Sequence, residues 1–255
     1  MVEGLLLDMD GVLTISFEPM PGAVETVAWL QASGVPFRIV TNTTTHTRAA
    51  LAETLGRIGF GLEPDDIVTA VAGTAEYLRS HHAGARVFLL SDGDATADLD
   101  GVFLVGPGEE ADVVVLGGAS DAFTHDNLNH AFRLLMNGAA LVGMHRNLYW
   151  RTSQGLELDA GAYLVGLEAA VDVRATVCGK PSAAFFEAAL SLIGLPPQRV
   201  AMVGDDIEND VGGAQACGII GVLVRTGKFA ESDLGKGDPD HVLASIADLP
   251  ELLDR

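Results

Sequence analysis

The sequence predicts an α/β protein: a parallel sheet with helices on both faces, and a smaller α/β unit inserted into it. Apolar runs of strand length alternate with segments of helix length near both ends of the chain. Strands that are apolar throughout are typical of parallel sheets covered on both faces. The length of 255 residues suits one large domain or a core with a modest insert.

The core elements are predicted in two groups, one before and one after the insert, with Pro21-Gly22 opening the first helix. The predicted strands are Leu5 to Leu7, Phe37 to Val40, Thr176-Val177, Val200 to Val203 and Ile219 to Val224, and the predicted helices are Ala23 to Gln31, Arg48 to Ile58, Ala183 to Ile193 and Asn209 to Cys217. Ligands of such sheets bind at the carboxyl ends of the strands, so functional residues are expected there.

A second alternation of strands and helices occupies the middle of the chain. Its predicted elements are the strands Arg86 to Leu90 and Asp112 to Leu116, the helix Asn127 to Met136, and a helix in the later part of Leu156 to Ala170. About 100 residues suffice for a small α/β domain. We therefore predict a core of residues 1–71 and 175–255 and an insert of residues 72–174. The hinges are expected near Val68-Thr69 and Ala175-Thr176.

The composition excludes several classes of partner. The formal net charge is −20, from 35 acidic and 15 basic residues, and such a surface repels nucleic acid and anionic lipid. No apolar run approaches the roughly 20 residues that cross a bilayer, and the first strand leaves no room for a signal peptide, so the expected location is the cytoplasm. Cys178 and Cys217 fit neither a zinc pattern nor a disulfide framework and are expected to be reduced.

Polar clusters interrupt the apolar pattern at four places. Each is predicted to follow a strand of the core, and the third also precedes a helix. They are Asp8-Met9-Asp10-Gly11, Thr41-Asn42, Gly179-Lys180-Pro181, and Gly204-Asp205-Asp206 with Asp210. Because the carboxyl ends of parallel strands share one edge of the sheet, we expect these side chains to meet there.

The first cluster holds two carboxylates two residues apart, a pair that suits phosphoryl transfer to an aspartate. Asp8 can attack phosphorus and form an aspartyl phosphate. Asp10 can protonate the leaving oxygen and then deprotonate the water that hydrolyses the intermediate. Proton donation near neutral pH requires a raised pKa for Asp10, which neighbouring carboxylates would favour and a metal ion would oppose.

The second and third clusters offer groups that bind a phosphate. The Thr41 hydroxyl and the Asn42 amide can hold phosphoryl oxygens, and Lys180 can offset the negative charge that develops during transfer. The glycine that follows the acid pair, Gly11, is a further candidate phosphate-binding residue.

Carboxylates of the first and fourth clusters are the expected ligands of a Mg²⁺ ion. Mg²⁺ favours an octahedron of a few carboxylates, water and phosphate oxygens. A divalent ion is also the simplest way for so acidic a protein to bind phosphate. Asp205 and Asp210 supply two ligands, and the first cluster supplies the others through Asp8, a backbone carbonyl and Asp10.

Each cluster alone has a structural alternative. Asp10-Gly11 is a common turn, Thr41-Asn42 could cap the next helix, and Asp205-Asp206 suits a helix N-terminus. Lys180 could be solvated in a plain loop. Four clusters in this order at four strand ends favour the reactive interpretation.

Three other functions use similar residues, and two of them involve no turnover. A receiver-type signalling module also surrounds a phosphorylated aspartate with acids, a threonine and a lysine, but its acid pair precedes that aspartate and it lacks a counterpart of Asp10 and of the insert. An interaction protein could keep the fold alone, although the presence of all four clusters argues against it. A pyrophosphate or phosphoramidate hydrolase is a further alternative.

The four clusters resemble the four motifs of the haloacid dehalogenase superfamily of phosphohydrolases. Asp8-x-Asp10-Gly11-Val12 is similar to the first, Thr41-Asn42 to the second, Lys180 within Gly-Lys-Pro to the third, and Gly204-Asp205-Asp206 through Asp210 to the fourth. The resemblance covers the whole chain and extends to Pro21-Gly22-Ala23, to Asp210 through Gln215 and to Arg225-Thr226-Gly227-Lys228.

Within the superfamily, the chain resembles the branch whose α/β cap is inserted between motifs two and three, and there the phospholysine/phosphohistidine inorganic pyrophosphate phosphatases and their hydrolase-domain paralogue. The resemblance implies a Rossmann-like doubly wound core, Mg²⁺, Asp8 as nucleophile and Asp10 as acid/base. It also implies a small phosphorylated substrate and a homodimer formed partly through the cap. That sub-branch can carry a non-acidic residue at the position of Asp10, so the carboxylate here indicates ordinary phosphomonoester chemistry.

Cap loops of this branch close over the pocket and select the leaving group, which makes Met144-His145-Arg146-Asn147 the candidate substrate loop. His145 could touch the substrate, and an exposed loop histidine is the alternative. Arg146 could bind a second anion, and a solvated side chain packed on Tyr149 or Trp150 is the alternative.

Overall fold

The structure is a computed structural model that describes residues 2–119, 121–152 and 155–253. The strands are β1 (Gly4–Asp8), β2 (Thr14–Ile15), β3 (Glu18–Pro19), β4 (Phe37–Thr41), β5 (Ile67–Thr69), β6 (Arg86–Leu90), β7 (Phe103–Val105), β8 (Val113–Leu116), β9 (Ala140–Gly143), β10 (Tyr149–Thr152), β11 (Gly155–Leu158), β12 (Thr176–Val177), β13 (Val200–Gly204), β14 (Ile220–Val224) and β15 (His241–Leu243). The α-helices are α1 (Ala23–Ser33), α2 (Arg48–Arg57), α3 (Ala70–His81), α4 (His125–Met136), α5 (Ala160–Val171), α6 (Ala183–Ile193), α7 (Gly213–Ala216) and α8 (Leu249–Leu253).

The chain divides into two compact units. The first, the core unit, comprises Met1–Thr41, Arg48–Val68 and Lys180–Arg255, and the second, the cap unit, comprises Asn42–Thr47 and Thr69–Gly179. The division falls at 68/69 and 179/180, whereas the sequence prediction was 71/72 and 174/175. One reason is that α3 already begins at residue 70, where the Thr69 hydroxyl accepts a hydrogen bond from Ala72 N–H.

The sheet of the core unit has six strands in the order β5-β4-β1-β13-β14-β15. Numbered along this unit, the order is 3-2-1-4-5-6, which is that of a doubly wound Rossmann-like sheet. β1 pairs in parallel with β4 on one side and β13 on the other, with Leu7 opposite both Ile39 and Val203. The order therefore reverses direction between β1 and β13, the point where such sheets bind ligands.

Both faces of the core sheet are covered, as the apolar strands predict. Leu5 and Leu7 belong to one buried cluster, which also contains residues of α1 and α2. Leu6, between them, belongs to a different cluster that contains Phe185 and Phe186 of α6. Alternate side chains of one strand thus enter opposite layers of the core, and the predicted α/β fold class is confirmed.

The cap unit has its own five-stranded sheet, in the order β7-β6-β8-β9-β12. Val113 and Val115 of β8 pack in a cluster with residues of α3, while Val114 and Leu116 pack in one with residues of α4 and α5. A separate antiparallel hairpin joins β10 and β11. This unit is therefore a second α/β layer structure with covered faces.

The structure corrects two sequence predictions. Thr176-Val177 was assigned to the core sheet, but β12 pairs in parallel with β9 at the edge of the cap sheet. A two-residue strand carries too little apolar pattern to indicate which sheet it joins. The helix predicted over Asn209 to Cys217 is instead a π-helical segment, Ile207–Gly212, followed by the short α7.

Among the described residues, none of the helices combines the length and the apolar character that crossing a membrane demands. Both cysteines are free thiols, with Cys178 buried and Cys217 partly buried. Burial raises the pKa of the Cys178 thiol to about 12, so it stays protonated at neutral pH.

Candidate active site

Three predicted site residues end neighbouring strands of the core sheet. Asp8 is the last residue of β1, Thr41 the last of β4, and Gly204 the last of β13, directly before Asp205. Because β4, β1 and β13 are adjacent and parallel, these ends meet at one edge of the sheet. Asp8, Thr41 and Asp205 are all buried there.

Lys180 reaches the same place from a helix and not from a core strand. It lies just before α6, whose N-terminus is capped by the Ser182 hydroxyl accepting from Phe185 N–H. Its Nζ lies 2.5 Å from Asp8 Oδ1 and 2.7 Å from Asp210 Oδ1, and it donates to the Val40 carbonyl at 3.4 Å. Only 4% of the Lys180 side chain is exposed, so its charge is balanced by these two carboxylates within the protein.

The π-helical segment after β13 carries Asp210 back toward the strand end. The Asp206 side chain accepts hydrogen bonds from Glu208 N–H and Asn209 N–H and so caps the segment. Asp210 Oδ2 accepts from Asp206 N–H at 3.2 Å. A Cβ atom at Gly204 would overlap the Asp210 side chain, so glycine is required for this close return.

Asp8, Asp205 and Asp210 form a buried carboxylate cluster. Each offers one oxygen, and these oxygens all lie within 4.8 Å of one another. Asp205 Oδ1 is buried and receives no hydrogen bond within the part of the chain that the structure describes. A buried carboxylate oxygen without a donor is costly unless a cation or proton occupies it.

Burial controls the protonation of this cluster. Together with nearby carboxylates, and against the opposing effect of Lys180, it raises the pKa of Asp205 to about 6 and that of Asp210 to about 7. Burial also raises the pKa of Asp8, against the opposing effect of Lys180. For Lys180 burial alone would lower the pKa, but Asp210 and Asp8 outweigh it and the pKa is raised. The ammonium therefore stays charged at neutral pH.

The cluster fits a divalent cation. Three carboxylates against one ammonium leave two uncompensated negative charges when all are ionised. The donors are hard carboxylate oxygens, as Mg²⁺ prefers. Since Asp205 Oδ1 also has no donor among the described residues, both the charge and the ligand type match such an ion.

Asp10 differs from its neighbour Asp8. Asp10 is exposed, and its carboxylate is not among the three that converge. Partial burial of the carboxyl group still raises its pKa, while Lys180 and Lys228 lower it. Gly11 follows with φ +86°, and a Cβ atom there would overlap Asp205 Oδ2. The turn therefore needs glycine both for its conformation and for its approach to Asp205.

Asn42 and Thr41 separate at the boundary between the units. Thr41 belongs to the core unit and Asn42 to the cap unit. Within the cap unit, Asn42 Oδ1 approaches Gly179 so closely that a Cβ atom at Gly179 would lie 2.6 Å from it. Thr41 therefore ends the first segment of the core unit, and Asn42 begins the first segment of the cap unit.

His145 and Arg146 have partners inside the cap unit. His145 is buried, with Nε2 3.8 Å from Asp159 Oδ2, and its Nδ1 accepts from Asn147 N–H. Burial lowers the pKa of His145, against the opposing charge of Asp159. Arg146 binds both carboxylate oxygens of Glu168, at 2.9 and 2.5 Å. His145 is therefore buried and not an exposed loop histidine, whereas Arg146 is partly exposed and paired with Glu168.

Sequence reasoning assigned no role to the loop after β14. Thr226 Oγ1 donates to the Gly11 carbonyl at 2.5 Å, and Lys228 N–H donates to Asp205 Oδ2 at 2.6 Å. The sequence signal was the Arg225-Thr226-Gly227-Lys228 stretch, which entered only through resemblance. Loop residues have no periodicity that would place them beside a site.

Comparisons with known proteins identify the family of this chain. Family models match in two places: haloacid dehalogenase-like hydrolase over residues 5–105 and HAD-hydrolase-like over residues 177–249. The haloacid dehalogenase-like hydrolase domain-containing protein 2 of Homo sapiens is 38% identical over 95% of this chain and 91% of its own. The phospholysine phosphohistidine inorganic pyrophosphate phosphatase of Danio rerio is 40% identical over 91% of this chain and 86% of its own. The solved p-nitrophenyl phosphatase from Archaeoglobus fulgidus has a TM-score of 0.91 at 28% identity, covering 98% of this chain and 99% of that one.

Proposed function

The chain belongs to the haloacid dehalogenase-like hydrolases, and on that premise we propose that it is a Mg²⁺-dependent phosphatase that acts through an aspartyl phosphate. The observation that supports this most is the buried cluster of three carboxylates and one ammonium at the carboxyl ends of β1 and β13. A cluster of this charge is costly to bury for stability alone, and such sites are typical of catalysis.

Asp8 is the proposed nucleophile. A bond forms between a carboxylate oxygen of Asp8 and phosphorus while the bond from phosphorus to the leaving oxygen breaks. Lys180, paired to Asp8 Oδ1, favours the ionised carboxylate that the attack requires and offsets charge on the phosphoryl oxygens. Thr41, Asn42 and Gly11 are the proposed additional phosphate-binding residues.

Asp10 is the proposed general acid and base. Partial burial raises its pKa, which favours the protonated form that an acid needs, and its exposure leaves it accessible to a leaving group. It gives its proton to the leaving oxygen in the first step. In the second step it takes a proton from the water that attacks phosphorus, and the bond from phosphorus to Asp8 breaks. Inorganic phosphate leaves, Asp8 returns to its carboxylate form and Asp10 returns to its protonated form.

Asp8, Asp205 and Asp210 would hold Mg²⁺. When bound, the ion supplies positive charge that neutralises the carboxylates and stabilises the transferring phosphoryl group. Asp205 contributes a buried oxygen without another donor, and Asp210 is fixed by Asp206 N–H. Asp10 is proposed as a ligand only through its backbone carbonyl, because its carboxylate lies outside the cluster.

The proposed substrate is a small phosphorylated metabolite. One similar protein is named a phospholysine phosphohistidine inorganic pyrophosphate phosphatase. Another is named a p-nitrophenyl phosphatase. Both names describe hydrolysis at a phosphate on a small group, and we extend that substrate class to this chain. We also propose that the protein is a homodimer and that it acts in the cytoplasm. Analytical ultracentrifugation of the purified protein tests the dimer.

Phosphate release from p-nitrophenyl phosphate tests the proposed function. We expect turnover with Mg²⁺, none with excess EDTA, and recovery when Mg²⁺ is restored. Asp8→Asn is the control for contaminating phosphatases. Absence of metal-dependent release at micromolar enzyme, with pyrophosphate and phosphoramidates also tried, would overturn the proposal. Stable phosphorylation without turnover would instead favour a phospho-accepting module.

A further inference from the structure

Three consecutive residues after β14 contact both halves of the proposed metal site. This segment, Thr226-Gly227-Lys228, is bound on one side to the turn after β1, where Thr226 Oγ1 donates to the Gly11 carbonyl at 2.5 Å. On the other side, Lys228 N–H donates to Asp205 Oδ2 at 2.6 Å. One short segment therefore links Gly11 to Asp205.

Two glycines allow the close approach. Gly227 has φ +61°, and a Cβ atom there would overlap Asp205 Oδ2 and lie 2.5 Å from Gly11 Cα. Gly11 has φ +86°, and its Cβ would likewise overlap Asp205 Oδ2. The two backbones thus enclose one oxygen of Asp205, at positions where any side chain would displace it.

The segment is held in place by contacts of its own. Arg225 N–H donates to the Leu243 carbonyl, which continues the pairing of β14 with β15. Phe229 N–H donates to the Thr226 carbonyl at 3.1 Å, and the Arg225 guanidinium lies over the Phe229 ring. These bonds fix the loop through the core sheet and do not involve the carboxylate cluster.

The two carboxylate oxygens of Asp205 have different surroundings. Oδ2 is occupied by Lys228 N–H, whereas Oδ1 is buried and receives no hydrogen bond from a described residue. A carboxylate held by one oxygen cannot rotate freely, so the other oxygen is presented in a fixed direction. Asp205 is only 1% exposed, so water does not readily replace a ligand there.

We propose that Thr226-Gly227-Lys228 is a positioning segment that clamps Gly11 against Asp205 and so presents Asp205 Oδ1 to the divalent cation. The inference rests on the proposed function, because it assumes that the carboxylate cluster holds Mg²⁺. The segment acts through the Thr226 hydroxyl, the small volume of Gly227 and the backbone N–H of Lys228.

The test measures Mg²⁺ binding without substrate, by isothermal titration calorimetry and by the rise in Tm that Mg²⁺ causes. Partners that orient a metal ligand contribute about 10–100-fold to metal affinity. We expect Gly227→Ala to weaken Mg²⁺ binding at least about 10-fold, since its Cβ displaces Asp205. Thr226→Val should weaken it about 3–10-fold, and Thr226→Ser, which keeps the hydroxyl, should bind like the wild type.

Gly34→Ala is the matched control for Gly227→Ala. Gly34 ends α1 with φ +71°, close to that of Gly227, but a Cβ atom there meets nothing within 4 Å. It should lose some stability from the left-handed conformation, yet bind Mg²⁺ like the wild type. If Gly227→Ala fails to fold, the Mg²⁺ affinities of Thr226→Val and Thr226→Ser still test whether the segment positions Asp205.

Two results would overturn the inference: folded Thr226→Val and Gly227→Ala proteins that bind Mg²⁺ like the wild type, or a wild type that binds no Mg²⁺. A wild type that binds Mg²⁺ but releases no phosphate from any substrate would refute the proposed function alone. Failure of the inference and failure of the proposed function therefore give different results.

Discussion

Lys180 Nζ lies 2.5 Å from Asp8 Oδ1, although 172 positions separate the two residues in the sequence. The contact exists because the end of β1 and the start of α6 lie at the same edge of the core sheet. The same ammonium is 2.7 Å from Asp210 Oδ1, so one cation compensates two buried carboxylates. Loss of that cation would leave both carboxylates buried without its compensating charge.

The first prediction follows from that loss. Lys180→Met should lower the free energy of unfolding by about 3–5 kcal/mol at pH 8 in EDTA, because breaking a buried pair leaves uncompensated charge. Urea unfolding measures this. The variant should recover stability as the pH falls, since Asp8 and Asp210 then take up protons. Phosphatase activity should fall at least about 100-fold.

Lys236→Met is the matched control. Lys236 also pairs with a carboxylate, Asp233, at 2.8 Å, but its side chain is half exposed. Exposed pairs contribute little, so unfolding and activity should barely change. If the two lysine variants behaved alike, the buried pair would not have the importance given to it here.

The second prediction separates catalysis from folding. Asp8→Asn should abolish turnover, by more than about 1000-fold, because an amide cannot attack phosphorus. Its stability in EDTA at pH 8 should be unchanged or higher. The pKa of Asp8 is raised in the fold, so its ionised form opposes folding and a neutral isostere relieves that cost. Phosphate release measures the loss of turnover, and urea unfolding measures the stability. A strongly destabilised Asp8→Asn protein would contradict the expected stability.

The sequence was sufficient to predict the strands that carry the site. β1 and β13 are continuous apolar runs, and Asp8 and Asp205 are the first acids at the point where each run ends. Parallel pairing then places these ends together without knowledge of side-chain contacts. The predicted partnership of Asp8, Lys180 and Asp205 depended on that rule, although Lys180 arrives from α6 and not from a core strand.

Other features depend on contacts that no local pattern encodes. Thr176-Val177 joins the cap sheet through two residue pairs with β9, too few to leave a periodic signal. Buried His145 contacts Asp159, which follows it by 14 positions beyond the β10–β11 hairpin. The contacts of Thr226 and Gly227 with the turn after β1 join residues more than 200 positions apart. Such pairings follow from the assembled fold alone.

The third prediction concerns acid and the cap unit. The pKa of buried His145 is below its ordinary value of 6.5, so the unfolded chain binds more protons just below that pH. Stability from this residue is therefore complete above about pH 6.5 and is lost as the pH falls through the lower folded pKa. His145→Gln should show a flatter loss of Tm between pH 7 and 5 than the wild type.

Differential scanning calorimetry across that pH range measures the slope. His125→Gln is the control, because His125 is exposed on α4 and bonds only to Asn129 among the described residues. Its slope should match that of the wild type. An unchanged slope in His145→Gln would show that the histidine is not held neutral in the fold.

The fourth prediction tests whether Arg146 serves structure or substrate. Glu168 is buried and accepts from Arg146 and from Ala175 N–H, so Arg146→Met leaves a buried carboxylate with one donor fewer. We expect a loss of about 1–3 kcal/mol. Glu168→Gln should cost less, since Arg146 is about one-third exposed, with 35% of its side chain accessible. The double variant should lose less than the two single losses combined.

Thermal unfolding of the four proteins measures this coupling, and steady-state kinetics measures KM beside it. If Arg146 binds a second anion of the substrate, as the sequence suggested, Arg146→Met would raise KM several-fold with no matching defect in Glu168→Gln. A structural pair should instead change Tm while KM stays within about 2-fold.

The fifth prediction concerns the two roles of Asp10. Asp10→Asn cannot donate a proton to the leaving oxygen and cannot accept one from water. An alkyl phosphate needs the first proton transfer because an alkoxide is a poor leaving group. p-Nitrophenolate leaves readily without a proton, so the variant should form its aspartyl phosphate from p-nitrophenyl phosphate and hydrolyse it slowly.

Rapid mixing should therefore show a burst of p-nitrophenol from Asp10→Asn, with an amplitude near one per active site, followed by slow turnover. On an alkyl phosphate the same variant should show no burst and a larger loss of kcat/KM. Asp10 is exposed and outside the carboxylate cluster, so Mg²⁺ affinity should be little changed and cannot explain the difference. Equal losses on the two substrates, with no burst on either, would show that Asp10 is not the acid of the first step.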